Sequence, residues 1–131
     1  MKLRCLFILF SILPSSPIYA EGIYDCTVKN VLSLSDTGEF KKMDGKYGIG
    51  KRFMVDRTTG EMKGQLTNNQ ALDKLELLNE GNSFQSFAAI TKNRSTRLGS
   101  YIYVQEFSKK TLKPFYYVDL HHIYSGTCSS L

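Results

Sequence analysis

"IYSGTCSSL" (residues 123–131) sets Cys128 behind a short run of strand-forming residues, two positions after Gly126. Its counterpart is "IYDCTV" (residues 23–28), where Tyr24, Cys26 and Val28 alternate with Asp25 and Thr27. That alternation is the mark of a half-buried strand. The chain has three cysteines, and the third, Cys5, falls in "MKLRCLFILFSILPSSPIYA" (residues 1–20). Lys2 and Arg4 stand at its front, an apolar run covers Cys5–Leu13, Pro14 ends that run, and the small Ala20 precedes a cut. This is the layout of a secretory signal peptide. The apolar run is far short of the roughly 20 residues that span a bilayer, so cleavage is expected rather than anchoring. Cleavage removes Cys5 and leaves Cys26 and Cys128 in an oxidising compartment, where one bridge is expected between the first strand and the last. In a chain-entropy model, closing a loop of about 100 residues stabilises by roughly 4–5 kcal/mol. A metal site from Cys26, Cys128, His121 and His122 lacks the paired short spacings of zinc ligands.

Residues 21–131 then form one domain, large enough for a modest core. The formal charge of +5 becomes +3 once Lys2 and Arg4 are gone. Cations lean toward the middle, at Lys41, Lys42, Lys46, Lys51 and Arg52. Such a run suits an anionic lipid, a polysaccharide or an acidic protein, and as a solvated loop it needs no partner. No nucleic-acid-binding motif is present, and nothing after Ala20 is long and apolar enough to span a membrane.

The texture along residues 21–131 is β throughout. Short runs rich in Tyr, Phe, Val and Ile are broken by turn residues every ten or so positions. Phe40 restarts a short strand after Ser35-Asp36-Thr37-Gly38. "KRFMVDRTTGEMKG" (51–64) reads as a hairpin, with Gly60 suited to positive φ. "NNQALDKLELLNEG" (68–81) fits two patterns. Asn69 could cap a helix with Leu72, Leu75 and Leu78 on one side, or Lys74–Leu78 is a strand; the strand reading is preferred, with Ser83–Thr91 as its bulged mate. "YIYVQEF" (101–107), "FYYVDL" (115–120) and "IYSGTC" (123–128) complete about eight strands in sequence-local hairpins. The fold class is all-β and antiparallel. With both chain ends bridged, a small closed barrel or a tightly closed sandwich is the economical topology, because closure removes exposed edges. The expected core is Tyr24, Val28, Leu32, Phe53, Val55, Leu75, Leu77, Phe87, Ile102, Val104, Tyr116, Val118 and Leu120.

Chemistry-bearing patterns are few. "GKYGIGKR" (45–52) nearly spells a phosphate-binding loop, but Arg52 stands where a magnesium-binding hydroxyl belongs, and "RFMV" reads as strand where a helix is needed. Asp119 and His121, two apart, would share a strand face and form a weak candidate for metal binding or proton transfer. No nucleophile or further ligand accompanies them, and no G-x-S-x-G is present. Asp25, Asp56 and Glu106 are carboxylates that no spacing pairs. Asp56 and Arg57 shape their turn, with Arg57 also a candidate for recognition. Aromatics are the enriched resource. Tyr101 and Tyr103 share one face, Phe115 and Tyr117 another, and an outward set would make an interface strip.

Several segments together resemble a family of small exported bacterial proteins without an assigned activity. They are Tyr24-Asp25-Cys26, "LSDTGEF" (34–40), "FMVDRTTGEMKG" (53–64), "GNSF" (81–84), "VQEF" (104–107), "KPF" (113–115) and "GTC" (126–128). The resemblance implies a compact β domain closed by end-to-end cysteines, and it brings no catalytic residue.

The function expected is an exported, non-catalytic binding domain, periplasmic or secreted, for a protein or a cell-envelope component. The candidate contact residues are Arg57, Lys51, Arg52, Tyr101, Tyr103 and Tyr117. The alternatives are a small-ligand carrier with a pocket at the barrel mouth, a periplasmic inhibitor or immunity-type protein, and, last, a hydrolase using Asp119 and His121. No cofactor is implied, and a monomer is expected.

Overall fold

The computed structural model describes residues 22–69 and 73–131. The leader expected at residues 1–20, with Cys5, lies outside the described residues, as do residues 70–72 of the stretch readable as helix or strand.

Among the described residues, nine strands form one antiparallel sheet. In chain order they are β1 (Ile23–Leu34), β2 (Phe40–Lys42), β3 (Arg52–Asp56), β4 (Met62–Gly64), β5 (Asp73–Glu80), β6 (Phe87–Asn93), β7 (Gly99–Val104), β8 (Lys113–Asp119) and β9 (His122–Ser130). One turn of 3-10 helix, Gly45–Tyr47, precedes β3 and is capped by the Asp44 carboxylate. The expected hairpin at 51–64 is β3–β4, with Gly60 at φ 77°. The ambiguous 73–80 stretch is a strand.

The spatial order is β4-β3-β1-β9-β8-β7-β6-β5, with β2 also on β1. β5 to β9 are thus a meander, and β1 to β4 fold around β1. The two groups meet where β1 pairs β9 over nine partner positions. Cys26 lies directly opposite Cys128 there, and a disulfide joins them across 102 positions of sequence.

Inward positions follow the pleat. Tyr24, Cys26, Val28, Phe53, Val55, Met62, Phe87, Ala89, Ile102, Val104, Phe115, Tyr117 and Cys128 make the core. A bulge between Val28 and Asn30 sets an extra residue against β9 and resets the alternation. Val31 therefore returns to the interior, and Leu32 faces outward. In β8 the expected core face is inverted: Phe115 and Tyr117 are buried, Tyr116 is exposed, and Val118 is half-buried on the outside. Leu120 is 57% exposed in the turn after β8. The bulge of the β5–β6 hairpin sits in β5, between Leu77 and Asn79, rather than in its mate.

The sheet curls far enough for strands four places apart to touch. The rings of Tyr24 (β1) and Phe87 (β6) meet edge to face at 5.4 Å. It stays an open half-barrel, which corrects the expected closed barrel. The reason lies at β4. Its outer backbone groups are taken by the chain's own next segment: Met62 N–H donates to the Asn69 side chain, Gly64 N–H donates to that of Asn68, and Asn69 N–H donates to the Met62 carbonyl. These bonds occupy most of the edge that a closing strand would use. Side chains close the gap instead. Asn69, itself buried, donates to Thr91 on β6 at 2.7 Å, and Gly60 packs against Ala89.

Gly126 is the residue the β1 bulge demands. A Cβ there would stand 2.0 Å from the Thr27 carbonyl oxygen. Gly126→Ala is expected to destabilise by about 2 kcal/mol or more, since backbone must move to admit one methyl group. Cys26→Ala/Cys128→Ala is expected to stay folded, held by the β1–β9 ladder, while losing roughly 2–5 kcal/mol. Urea unfolding, followed by tyrosine fluorescence, checks both.

Candidate functional site

The turn after β3 builds the main cleft. Asp56 Oδ1 accepts from Thr58 N–H, the Thr58 hydroxyl and Thr59 N–H. The Thr58 hydroxyl is the chief reason that Asp56 sits below its usual carboxylate range; these backbone donors add to it. Arg57 N–H donates to the Gly22 carbonyl. Arg57 thus continues the inward parity of Phe53 and Val55 and turns its guanidinium into the open end of the half-barrel.

There it meets three other elements. Its terminal carbon lies 5.1 Å from the centre of the Tyr24 ring, a cation–π contact. Nη2 donates to the carbonyls of Glu80 and Gly81, at the end of β5, at 3.2 Å each. Nη1 stands 3.7 Å from Glu106 Oε1. Glu106 Oε2 accepts from the Tyr24 hydroxyl. Burial pushes that hydroxyl far above the usual tyrosine range, and the Glu106 hydrogen bond and charge add to this, while Arg57 opposes it. Above this cluster opens a cleft of about 580 Å³, walled by Thr58, Gly81, Asn82 and Ser130. The segments "YDC" (24–26), "FMVDRTTGEMKG" (53–64), "GNSF" (81–84) and "VQEF" (104–107) supply its base and walls.

The opposite end carries a smaller cleft of about 250 Å³, lined by Thr67, Asn69, Thr91, Ser100, Tyr117 and Asp119 among others. Tyr117 is buried, and burial raises its hydroxyl's pKa, although hydrogen bonds with Ser100 and Thr67 oppose the shift. This removes Tyr117 from the candidate contact residues: it packs 6.3 Å from Phe53 and 5.9 Å from Tyr124 inside the sheet.

Tyr101 and Tyr103 do face outward, and the third ring beside them is Tyr116. Tyr103 and Tyr116 are cross-strand partners stacked at 4.9 Å, and Tyr101 lies 5.9 Å from Tyr116. An apolar row of outer positions flanks Tyr101: Ile90 opposite it, Val118 on its other side, then Ile123 and Leu32 across β9 and β1, while Tyr116 has Ser125 opposite it on β9.

The remaining candidates are dispersed. Lys51 is exposed, and its loop is pinned to the β1 bulge: Val28 N–H donates to the Lys51 carbonyl, and Gly50 N–H to the Val28 carbonyl. Arg52 pairs with Asp25 on the surface. Asp119 and His121 do not share a strand face. The chain turns at Leu120, which has φ 52°, so Asp119 pairs across the hairpin with His122, and His121 stands in the turn with its ring 4.2 Å from that of His122. Among the described residues, no group of three or more His, Cys, Asp and Glu comes together as a metal would require. No family model, curated protein or solved structure matches the chain.

Tyr24 and Glu106 are the cleft residues that sequence reasoning left out. Glu106 was legible in principle. It follows the inward positions Ile102 and Val104 at the same parity, and an ionisable residue there signals a buried pair.

The raised Tyr24 pKa carries a stability consequence. A folded-state value above the unfolded one means that the contribution is complete below the ordinary 10.0 and is lost as pH climbs beyond it. Unfolding midpoints in urea are expected to hold steady from neutral pH to about 9 and then fall. Tyr24→Phe is expected to cost about 1 kcal/mol at pH 7 and to flatten the alkaline fall. An equally steep fall in the variant would assign the effect to other tyrosines.

Proposed function

We propose that residues 21–131 are an exported, non-catalytic binding domain that recognises a protein partner or an envelope component through its outer tyrosine face. One observation carries this reading: the solvent side of β7 and β8 bears Tyr101, Tyr103 and Tyr116 amid apolar neighbours, over an interior that is already filled. One-sided antiparallel sheets ordinarily carry polar residues outward, as β9 does with Ser125, Thr127 and Ser129. Clustered outward tyrosines supply contact area at low entropic cost, with hydroxyls for directional bonds. Because Tyr103 and Tyr116 stack on each other, they offer edges and hydroxyls outward rather than ring faces. That favours a protein surface over a saccharide, which needs a free ring face to lie on.

Export is supported by the leader pattern, the disulfide and the resemblance to small exported proteins. Among the described residues, no helix is long and apolar enough to cross a membrane. An inhibitor or immunity-type role is a special case of this reading, with an exported protein as partner. A carrier would need an apolar chamber; here Phe53, Phe87, Phe115 and Tyr117 fill the interior, and the clefts at its two ends are bordered by charged and polar side chains, Arg57 and Glu106 at one and Asn69, Thr91 and Asp119 at the other. A hydrolase would need Asp119 and His121 aimed at a common point, and the hairpin turn separates them.

The test is capture from envelope extract, comparing the wild type with Tyr101→Ser/Tyr103→Ser/Tyr116→Ser and with Lys51→Ser/Arg52→Ser. The tyrosine variant is expected to stay folded and to weaken capture about a hundredfold, while the basic-loop variant binds as the wild type does. Capture that survives loss of all three rings would sink the proposal.

A further inference from the structure

The sheet has one long free edge. β5 covers eight residues and, among the described residues, pairs only with β6. At its far end the Glu80 carbonyl is taken by Arg57. Among the described residues, no other strand or backbone group hydrogen-bonds to β5 between Lys74 and Asn79. Natural edges of this length are usually blunted by proline, by a bulge or by charged side chains, lysine above all. β5 has no proline, and its bulge comes only after Leu77. Its outward charges, Lys74 and Glu76, have opposite signs and stand two apart. Leu75 and Leu77 are half-buried on the inner side. Lys74 faces Lys92 across the β5–β6 ladder, and Lys92 pairs with Glu76 at 3.1 Å, so Lys74 has no acidic partner of its own among the described residues.

We infer that the stretch 73–77 of β5 is the seam of a two-fold dimer, in which a second copy of this chain extends the sheet by antiparallel pairing. An axis perpendicular to the sheet keeps inner faces on one side, so inward residues must meet inward residues. Three such registers place the axis at Lys74, Leu75 or Glu76. An axis at Lys74 sets Lys74 against Lys74 of the second copy, and one at Glu76 sets glutamate against glutamate. Only the axis at Leu75 pairs Lys74 with Glu76 of the second copy, and does so twice, while the two Leu75 side chains lie together on the inner side. Like charges directly opposite each other destabilise a strand pair and unlike charges stabilise it, which selects this register. The occupant is a second copy because the strand's charges complement their own reversed sequence. This departs from the monomer expected from the sequence, and it stands independently of the proposed function. In the dimer, both tyrosine faces lie on the same side of one continuous sheet.

Sedimentation equilibrium of the purified, disulfide-bonded protein from about 1 µM to about 1 mM tests the seam. The wild type is expected to dimerise within this range. Lys74→Glu and Glu76→Lys are each expected to weaken dimerisation about tenfold or more, because two attractive pairs become two repulsive ones. The double reversal, Lys74→Glu/Glu76→Lys, is expected to restore it. Amide exchange at residues 74–77 is expected to slow as protein concentration rises. Both side chains are exposed, so thermal midpoints check that the variants stay folded. A wild type that is monomeric throughout, a dimer indifferent to the single reversals, or a double reversal that fails to restore association would each overturn the inference. The tyrosine variants leave this measurement unchanged, so its failure is distinguishable from failure of the proposed function.

Discussion

Everything in this sheet depends on β1 lying against β9. The other strands of the meander pair with their chain neighbours, and β2 and β3 pair with β1 over short separations. The β1–β9 ladder instead joins positions about a hundred residues apart and is the contact that makes the two groups one sheet. It is also the ladder with the greatest loop-closure cost, because that cost rises with the length of chain enclosed. The Cys26–Cys128 bridge sits inside this ladder, on the buried side. It therefore acts on the least local contact of the fold: the bridged unfolded chain keeps β1 and β9 near each other. Gly126, two residues from Cys128, lets the bulged β1 backbone approach closely enough for the same ladder to continue past the bridge.

The ends of the open sheet are sealed without a final ladder, and electrostatics explains how. Where an open half-barrel bends round, its ends expose the last inward positions of several strands. At one end these are Tyr24, Arg57 and Glu106. Any one of them alone would be costly to bury as a charge or an unpaired donor. Together they are mutually satisfied: the guanidinium has two carbonyls, a ring face and a carboxylate, and the carboxylate has a hydroxyl and a guanidinium. At the other end Asn69 does the same with neutral groups, bonding Gly60, Met62 and Thr91. The sheet is thus sealed at its ends by two polar clusters around an aromatic interior, and the ladder left unmade is the outer edge of β5.

How much of this was legible follows from where the information lies. The alternation of Tyr24, Cys26 and Val28, and the runs "YIYV" and "FYYV", declare strands, and the two cysteines outside the leader-like segment point to a bridge. The β3–β4 hairpin is legible through Gly60. In "FYYV" both parities are apolar, so sequence cannot say which faces in; the pairing of Tyr116 with Tyr103 and of Tyr117 with Tyr124 decides it. The β1 bulge moves Val31 into the place expected for Leu32 with no glycine in β1 to mark it. The turn at Leu120–His121 has a leucine at positive φ, which no turn preference announces. An open rather than closed sheet depends on two asparagine side chains occupying β4, a tertiary detail beyond any pattern of hydrophobicity. Of the end cleft, Arg57 was visible as a candidate, while Tyr24 was read as core and Glu106 as one carboxylate among several.

The same asymmetry of faces bears on the proposed binding surface. Inside the curl the space belongs to phenylalanine and tyrosine rings in mutual edge contact, such as Phe53 with Phe115 at 5.4 Å. Opening room there would forfeit close packing that the interior cannot replace. The ends are stitched by ion-paired and hydrogen-bonded side chains whose rearrangement would leave buried polar atoms unpaired. The outer face of β7 and β8 is under neither constraint. Its tyrosines are partly exposed, their ring contacts among the described residues are with one another, and the backbone ladder of β7 and β8 runs beneath them. Aromatic surface that folding does not require is left free to meet something else.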